Sequence, residues 1–332
     1  MSRILSFIVP AFISASAFAG GFSFHDEPGK HLDVLRDGKI VARYMYAYDK
    51  STPARRDETY KPYLHVFDAD GKEPITKGSG GTFPHHRGIY IGWNKLGVAG
   101  KTYDRWHMKG GEQVHEKFTD QKAGEDGATF TSIVKWTGDG PEAILEEERT
   151  LKFLPAPAPA YAAIEMTSKL KAVGGETKLE GDPEHSGLQF RPSEAVDRAV
   201  TSYFFPVEKP DPRKDRDYPW VGETIGLGGK HYSVLYINHP DNSKDAVFST
   251  YRDYGRFGAW FKGTIPAGGV QTLRVRILVA EGEMLPAAVI QKARNDFAGT
   301  NDPLPTVTRK GGETKGTPKP KEPAKPAAPQ KK

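Results

Sequence analysis

Apolar and polar residues alternate with a period of two along most of this chain, and this pattern restricts the possible folds more than any other feature. The clearest example is segment 271–280, whose arginines lie on the opposite face from a row of aliphatic side chains. That row consists of Leu273, Val275, Ile277 and Val279. An apolar residue at every second position marks a strand with one buried face. Similar runs recur from residue 32 onwards and predict a chain built mainly of antiparallel strands.

Helical spacing is rare, and only segment 285–297 has apolar residues three and four positions apart. No glycine-rich phosphate-binding motif follows a strand, which argues against nucleotide-binding α/β folds. The chain has no cysteine, so disulfides, thiolate nucleophiles and iron–sulfur clusters are excluded. About a dozen strand candidates within residues 20–308 predict one all-β domain, a large antiparallel two-sheet sandwich with one late helix.

The first 19 residues have the features of a signal peptide. One basic residue, Arg3, precedes a short apolar stretch that ends in Ala17-Phe18-Ala19, the small-x-small pattern that signal peptidase requires. An uncleaved anchor is the alternative, but the stretch is short for a bilayer span. We therefore expect an exported protein, periplasmic or secreted, with no transmembrane segment in the mature chain.

Residues 309–332 form a tail rich in Lys, Pro and Ala. It has eight basic and two acidic residues, so it accounts for more than the whole net charge of +5. Because the body is then nearly neutral, nucleic-acid binding is not expected. The composition predicts disorder, since such a segment has little apolar surface to bury. A solubilising role is the simpler interpretation, and contact with an anionic envelope surface is the alternative.

Two polar clusters are candidates for chemistry. Pro84-His85-His86-Arg87-Gly88 follows a glycine-rich segment and enters a strand, where loop side chains can reach a cleft. The second cluster lies about a hundred residues later, where alternate residues of one strand form a polar stripe. It consists of His185, Gly187, Gln189 and Arg191. Polar residues on an interior strand are costly unless they line a pocket, so we expect both clusters to line one cleft.

Further candidates surround these clusters. Trp106 and His115 follow across a glycine-rich segment, and Tyr254 lies in an aromatic and arginine-rich run. Aromatic faces beside planar polar groups suit a sugar. Of the consecutive acidic residues 146–148, only Glu147, or alternatively its two neighbours, can face inward and act as a base. No local His-x-His or His-Glu-x-x-His spacing occurs, so neither a metal nor a cofactor is predicted.

Several motifs occur in an order that resembles a secreted, largely uncharacterised bacterial family labelled "methane oxygenase PmoA". They are Lys61-Pro62-Tyr63-Leu64-His65, residues 83–93 with the Pro-His-His-Arg-Gly core, Trp106, His115, Trp136 and Gly187-Leu188-Gln189-Phe190-Arg191. The membrane subunit of that name consists of transmembrane helices, whereas no apolar run after residue 19 is long enough to span a membrane. Methane oxidation is therefore not expected. The resemblance implies a galactose-mutarotase-like supersandwich and an acid–base site for a saccharide.

We therefore predict an exported carbohydrate-active protein, an epimerase, lyase or hydrolase that uses His and Glu as acid and base. A non-catalytic carbohydrate-binding protein or an envelope structural protein is the alternative. The candidate catalytic residues are His86, His115 and Glu148. The candidate substrate-binding residues are His65, His85, Arg87, Trp93, Trp106, His185, Gln189, Arg191 and Tyr254.

Overall fold

The computed structural model of the chain describes residues 20–314. Strands dominate this part of the chain, together with two short helices, α1 (Pro53–Thr59) and α2 (Ala287–Ala298). The strands are β1 (Phe22–Glu27), β2 (His31–Arg36), β3 (Lys39–Met45), β4 (Tyr63–Val66), β5 (Ile89–Trp93), β6 (Lys95–Val98), β7 (Lys101–Tyr103), β8 (Gln113–Gly124), β9 (Gly127–Thr137), β10 (Ala143–Leu154), β11 (Ala160–Ala172), β12 (Thr177–Glu180), β13 (Ser186–Phe190), β14 (Asp197–Phe205), β15 (Trp220–Leu227), β16 (Lys230–Asn238), β17 (Val247–Phe248), β18 (Phe257–Trp260), β19 (Gly263–Ile265), β20 (Val270–Glu281) and β21 (Thr308–Gly311).

The strands form two large antiparallel sheets and one small sheet. The eight-stranded sheet has the order β1-β2-β3-β4-β5-β13-β18-β17, and the nine-stranded sheet has the order β21-β14-β15-β16-β20-β11-β10-β9-β8. A four-stranded sheet, β19-β12-β6-β7, completes the described part. The predicted all-β, antiparallel two-sheet sandwich with one late helix is confirmed. Helix α1 was not predicted.

Alternate residues of both large sheets meet in one hydrophobic core. In β20 the predicted aliphatic row is buried in that core, while Arg274 and Arg276 lie on the other face. Helix α2 covers part of this other face, where Ile290 and Phe297 pack on Leu278. The helix thereby buries surface that would otherwise remain exposed on the nine-stranded sheet.

A buried ion pair joins the layers of the core. The Glu147 carboxylate accepts hydrogen bonds from Arg149 at 2.7 and 2.9 Å, from Trp136 Nε1 at 2.9 Å and from Ser168 Oγ at 2.8 Å. Both charged side chains are almost completely buried. The pair is therefore part of the core. Of the inward-facing alternatives for residues 146–148, Glu147 is the one buried, and its carboxylate is fully engaged.

Removing one member of this pair leaves the other charge buried without a counter-charge. We expect Glu147→Ala to lower the free energy of unfolding by about 3–5 kcal/mol, since that is the usual cost of breaking a buried pair. The matched control is Glu148→Ala, which removes an exposed pair with Lys169 and should cost less than about 1 kcal/mol. Urea unfolding measures both values, and equal losses would contradict a structural role for Glu147.

The predicted start of the tail at residue 309 is wrong. Strand β21 pairs with β14 at the edge of the nine-stranded sheet, and Arg309 Nη2 donates to Ser202 Oγ at 2.9 Å. Glu313 also forms an ion pair with Arg213 at 2.8 Å. These contacts make residues 309–314 part of the fold. Residues 1–19 and 315–332, which carry the predicted signal peptide and the rest of the tail, lie outside the described residues.

Two truncations separate these parts. Deleting residues 308–332 removes the edge strand β21 and should lower the melting temperature by at least about 4 °C, because its ladder hydrogen bonds and ion pair are lost. Deleting only residues 315–332 should leave the melting temperature unchanged, as their composition predicts. Differential scanning calorimetry makes the comparison. Identical melting temperatures for the two truncated chains would show that β21 contributes nothing.

Candidate functional site

The candidate site lies on the face of the eight-stranded sheet that points away from the core. Tyr63, His65, Tyr90, Gln189 and Arg191 occupy this face, because their sequence neighbours on β4, β5 and β13 point into the core. Strands β5 and β13 are adjacent, and Tyr90 lies opposite Gln189 in the register. Both strands are buried along their full length. Loops therefore cover this face.

The two predicted polar clusters meet through the backbone. The Arg191 N–H donates to the carbonyl of Gly88 at 2.8 Å, and the Lys77 N–H donates to the carbonyl of Arg191 at 3.0 Å. Gly88 has a φ of +39°, and a Cβ there would lie 2.1 Å from the carbonyl oxygen of Leu64. Only glycine permits this close approach. The Pro84–Gly88 segment is thereby held beside the His185–Arg191 strand.

Four histidines lie in contact where these segments meet, and we call them the histidine cluster: His85, His86, His107 and His185. The ring centroids of His85 and His86 are 4.4 Å apart, and those of His85 and His107 are 4.3 Å apart. The ring of His107 is 5.5 Å from that of His185. His86 is buried, whereas the side chains of His107 and His185 are 26% and 40% exposed. The cluster therefore runs from the surface into the protein.

An aspartate three residues earlier in the chain orients each of the two exposed imidazoles. Asp104 Oδ2 lies 2.8 Å from His107 Nδ1, and Asp182 Oδ1 lies 2.8 Å from His185 Nδ1. Burial raises the pKa of Asp104, but hydrogen bonds from His107 outweigh this effect and hold the pKa below its usual range. Burial likewise raises the pKa of Asp182, and hydrogen bonds, chiefly from His185, lower it to about 2.

Both carboxylates are therefore ionised and accept hydrogen bonds only. Each Nδ1 must carry the proton, and Nε2 of the neutral ring is left as an acceptor. The sequence did not lead us to His107 as a catalytic candidate. The Asp-x-x-His spacing that both turns share is the signal that could have identified it.

At the buried end of the cluster, His86 meets two further buried polar side chains, Tyr90 and Trp106. We call these three residues the floor of the site. Both His86 ring nitrogens, the Tyr90 hydroxyl and Trp106 Nε1 have no hydrogen-bond partner among the described residues. The Tyr90 and Trp106 ring centroids are 4.9 Å apart, and His86 lies 5.9 Å from Trp106. Unpartnered buried polar atoms are costly, and several in one place favour a site that a ligand completes.

Burial keeps the deeper imidazoles neutral. Desolvation, together with the charges of Lys61 and the neighbouring histidines, lowers the pKa of His85 to about 2. Desolvation and the charges of Arg256, His85 and Arg191 lower the pKa of His86 well below its ordinary value. Near neutral pH these two rings can therefore donate or accept hydrogen bonds, but they do not carry a positive charge.

Aromatic rings form one wall of the site. The centroids of Phe83 and Tyr254 are 5.6 Å apart, and Phe83 lies 5.3 Å from the ring of His86. Phe83 has a φ of +56°. Residues with side chains rarely adopt this left-handed conformation, and it costs of order 1–3 kcal/mol. Met108, beside His107, has a φ of +60°. The loops that carry His85, His86 and His107 are therefore strained next to the site.

Lys61 is a buried residue of the site that sequence reasoning missed. Its Nζ donates to the carbonyl of Trp106 at 3.0 Å and lies 4.5 Å from the centre of the Tyr90 ring. Burial and the nearby Arg87 lower its pKa well below the ordinary value. The sequence shows only a lysine next to a proline, which carries no signal of burial.

Two of the predicted binding residues have structural roles instead. Arg87 is fully buried and donates to the main-chain carbonyls of Asp57, Glu58 and Pro84, which fixes the histidine loop to the end of α1. Trp93 lies in the core between the sheets, because it has the opposite strand parity from Tyr90. It cannot stack on a ligand at this site, and its predicted role is wrong.

Two of the three predicted catalytic residues also lie elsewhere. His115 is on β8 of the other large sheet, where Nδ1 lies 2.7 Å from Ser132 Oγ and the ring packs 4.7 Å from that of Tyr46. Glu148 forms its exposed ion pair on the nine-stranded sheet. Neither side chain contacts the histidine cluster in the described part of the chain. The predicted convergence of these two residues with His86 is therefore not found.

The remaining candidates lie on the face that carries the site. His65 Nδ1 is 2.9 Å from Thr76 Oγ1, to the side of the cluster. Gln189 accepts a hydrogen bond from Arg256 Nη1 at 3.0 Å and donates to the carbonyl of Ser186. Gln189 is thus a partner of Arg256 below the site and has little capacity left to bind a ligand.

A cavity of about 1050 Å³ adjoins the cluster, and His107 is one of its lining residues. Charged side chains of both signs line the rest, among them Arg56, Glu112 and Lys135. Such a volume exceeds that of a single small ligand.

No group of three or more His, Asp or Glu side chains in residues 20–314 is arranged to hold a metal ion. In the same residues, no helix is long and apolar enough to cross a membrane.

The chain belongs to DUF6807, a family of unknown function, whose family model matches residues 31–294. No curated protein sequence matches the chain significantly. This match does not bear on the resemblance to the PmoA-labelled family, which stays a prediction.

Several solved structures have a similar fold. A protein from Klebsiella pneumoniae described as an aldose 1-epimerase is 9% identical, with a TM-score of 0.42 over 82% of this chain and 84% of that chain. A galactose mutarotase-like protein from Lactobacillus casei is also 9% identical, with a TM-score of 0.32 over 78% of this chain and all of that chain. A beta-arabinopyranosidase is 11% identical, with a TM-score of 0.37 over 73% of this chain. The chain spans only 38% of that protein. At these identities the likeness concerns the fold alone.

Two partly buried histidines outside the cluster should make stability depend on pH. Desolvation and the charge of Arg43 lower the pKa of His65 to about 4, and desolvation and Arg149 lower that of His115 to about 4. The unfolded chain takes up these protons near pH 6.5, but the folded chain does so only near pH 4. The free energy of unfolding should therefore fall as the pH falls from about 6.5 to about 4.

The variant His115→Gln can keep the hydrogen bond to Ser132 but does not titrate. Its free energy of unfolding, measured by urea unfolding, should fall less steeply than that of the wild type between about pH 6.5 and 4. Above pH 6.5 the two curves should run parallel, which serves as the internal control. Parallel curves over the whole range would mean that His115 titrates normally in the folded protein.

Proposed function

We propose that the protein is carbohydrate-active and binds a saccharide at the histidine cluster. As an enzyme it would move protons through His107 and His185, in an epimerase, lyase or hydrolase reaction. The observation that carries this proposal is that two imidazoles, each held by its own aspartate, lie at a partly exposed rim beside aromatic rings. The catalytic candidates thus move from His115 and Glu148 to these two residues.

Proton transfer follows from how the imidazoles are held. With Nδ1 bound to a carboxylate, Nε2 is the free nitrogen that can take a proton from a ligand. The aspartate then stabilises the imidazolium that forms, as in the Ser-His-Asp arrangement. One ring can accept a proton while the other, already protonated, returns one. Epimerases, lyases and hydrolases of saccharides all need such an acid and such a base.

The surroundings favour a sugar as the ligand. Phe83 and Tyr254 offer ring faces to the C–H patches of a pyranose, and His85 and His86 offer neutral ring nitrogens to its hydroxyl groups. The cavity beside His107 has room for further sugar units. An oligosaccharide could therefore extend from the cluster across the rim.

Export is a separate part of the proposal. It depends on residues 1–19, whose sequence has the charge, apolar stretch and cleavage pattern of a signal peptide. A periplasmic or extracellular location suits a protein that handles saccharides outside the cytoplasm.

The test is turnover of a sugar panel by the wild type and by two variants. Mono- and oligosaccharides of common hexoses, pentoses and uronic acids are incubated with the protein in D₂O, and NMR spectroscopy follows epimerisation, cleavage and deuterium incorporation. We expect His107→Ala and His185→Ala to lower turnover by at least about 100-fold, the usual contribution of a general acid or base.

The matched control is His231→Ala, which removes a half-exposed histidine on β16 that contacts Glu283. It should retain full turnover. Binding of a sugar without any turnover, unchanged in the two alanine variants, would overturn the enzymatic proposal in favour of a binding protein. Absence of both binding and turnover across the panel would overturn the carbohydrate proposal.

A further inference from the structure

Three buried basic side chains lie around the floor of the site: Lys61, Arg191 and Arg256. Their exposed fractions are 1%, 2% and 0%. Within residues 20–314 no carboxylate lies within ion-pair distance of any of them. Burying a cation without a counter-charge is expensive, and such groups are rare outside functional sites.

Their partners are neutral groups. Arg191 Nη1 donates to the carbonyl of Tyr254, and Arg256 donates to Gln189 Oε1 at 3.0 Å and to Ser249 Oγ at 2.8 Å. The Nε of each arginine is buried and has no hydrogen-bond partner among the described residues. Each guanidinium therefore retains an unused donor.

Two other buried arginines of the fold do not share this deficit. Arg149 is paired with the carboxylate of Glu147 at 2.7 Å. Arg87 has no carboxylate, but three main-chain carbonyls accept its donors. Uncompensated positive charge with unused donors is thus found at Arg191 and Arg256, and also at Arg105, the neighbour of Trp106, whose Nε and Nη2 have no partner among the described residues.

The acidic side chains nearest to these arginines do not neutralise them. Glu184 is engaged by Arg252 and by the Tyr251 hydroxyl. Glu223 is completely buried, and neither of its carboxyl oxygens has a hydrogen-bond partner among the described residues; desolvation raises its pKa well above the ordinary value. Neither carboxyl group therefore forms an ion pair with Arg191 or Arg256.

The three basic side chains lie around His86. The guanidinium carbon of Arg191 lies 4.8 Å from the centre of the Tyr254 ring, which packs against His86 at 6.3 Å. Lys61 Nζ lies over the Tyr90 ring, whose hydroxyl has no partner. His86 is thus enclosed by cationic and unpartnered polar groups.

We propose that the natural ligand carries an anionic group, and that it is a saccharide bearing a carboxylate, that is, a uronic acid or a chain containing one. For the sugar part, this inference rests on the proposed function. For the carboxylate, it rests on the unpaired basic side chains around the floor. A carboxylate fits because its oxygens only accept hydrogen bonds, and the Nε donors of both arginines and the Tyr90 hydroxyl have no acceptor among the described residues. A carboxylate nearby would also favour the protonated form of Lys61.

The experiment compares matched ligand pairs on the wild-type protein. Methyl glucuronide and methyl glucoside form one pair, and methyl galacturonide and methyl galactoside form the other. Isothermal titration calorimetry should give at least about tenfold tighter binding of the uronide in a pair, and the preference should largely persist at 0.5 M NaCl, because salt screens buried charges only weakly. Because this comparison needs no variant, it decides the question even where a substitution prevents folding.

Variants then assign the preference to residues. Arg191→Gln and Arg256→Gln should bring the affinities of uronide and neutral glycoside together. The matched control is Arg36→Gln, which removes an arginine from β2 beside Phe22 and should keep the full preference. Melting curves show which variants are folded, and unchanged preference in both folded site variants would overturn the inference.

The outcomes separate this inference from the proposed function. Equal or tighter binding of the neutral glycosides would overturn the anionic ligand and leave the carbohydrate proposal standing. Binding of acetate or inorganic phosphate, with no binding of any glycoside, would support an anion site at the basic side chains around the floor and overturn the carbohydrate proposal. No binding of any probe would overturn both.

Discussion

Strands β5 and β13 are buried on both faces, and the rest of the site depends on this double burial. One face joins the core between the sheets, where apolar side chains suffice. The other face carries polar side chains that loops enclose, so each of them must find a partner or serve a ligand. Gln189 finds partners in the protein, whereas Tyr90 does not. The site is therefore the part of this polar layer that the protein leaves incomplete.

Much of the fold was readable from the sequence, because alternation reports directly on which face of a strand is buried. The pattern of β20 and the late helix follow from local spacing. The juxtaposition of the two polar clusters was also expected, since polar stripes on interior strands are costly when separate. The end of the domain was placed too early because basic residues in β21 resemble those of the tail.

The errors at the site have one cause. Alternation tells which residues of a strand share a face, but it does not tell which sheet a distant strand joins. His115 belongs to the opposite sheet, and Glu148 faces solvent beside a buried neighbour. Trp93 has the wrong parity for the site although it shares a strand with Tyr90. Lys61 is fixed by contacts distant in sequence, so no local pattern could have indicated its burial.

The two Asp-x-x-His turns make each half of the rim self-contained. Asp104 binds the main-chain N–H and the ring of His107, and Asp182 binds the main-chain N–H of Glu184 and the ring of His185. Each imidazole thus brings its own orienting group within one turn of chain. The loops around these turns can change in length and composition during evolution while the orientation of the two imidazoles persists. Under the proposed function, specificity for ligands can then diverge through the loops while the two proton-transfer groups stay in place.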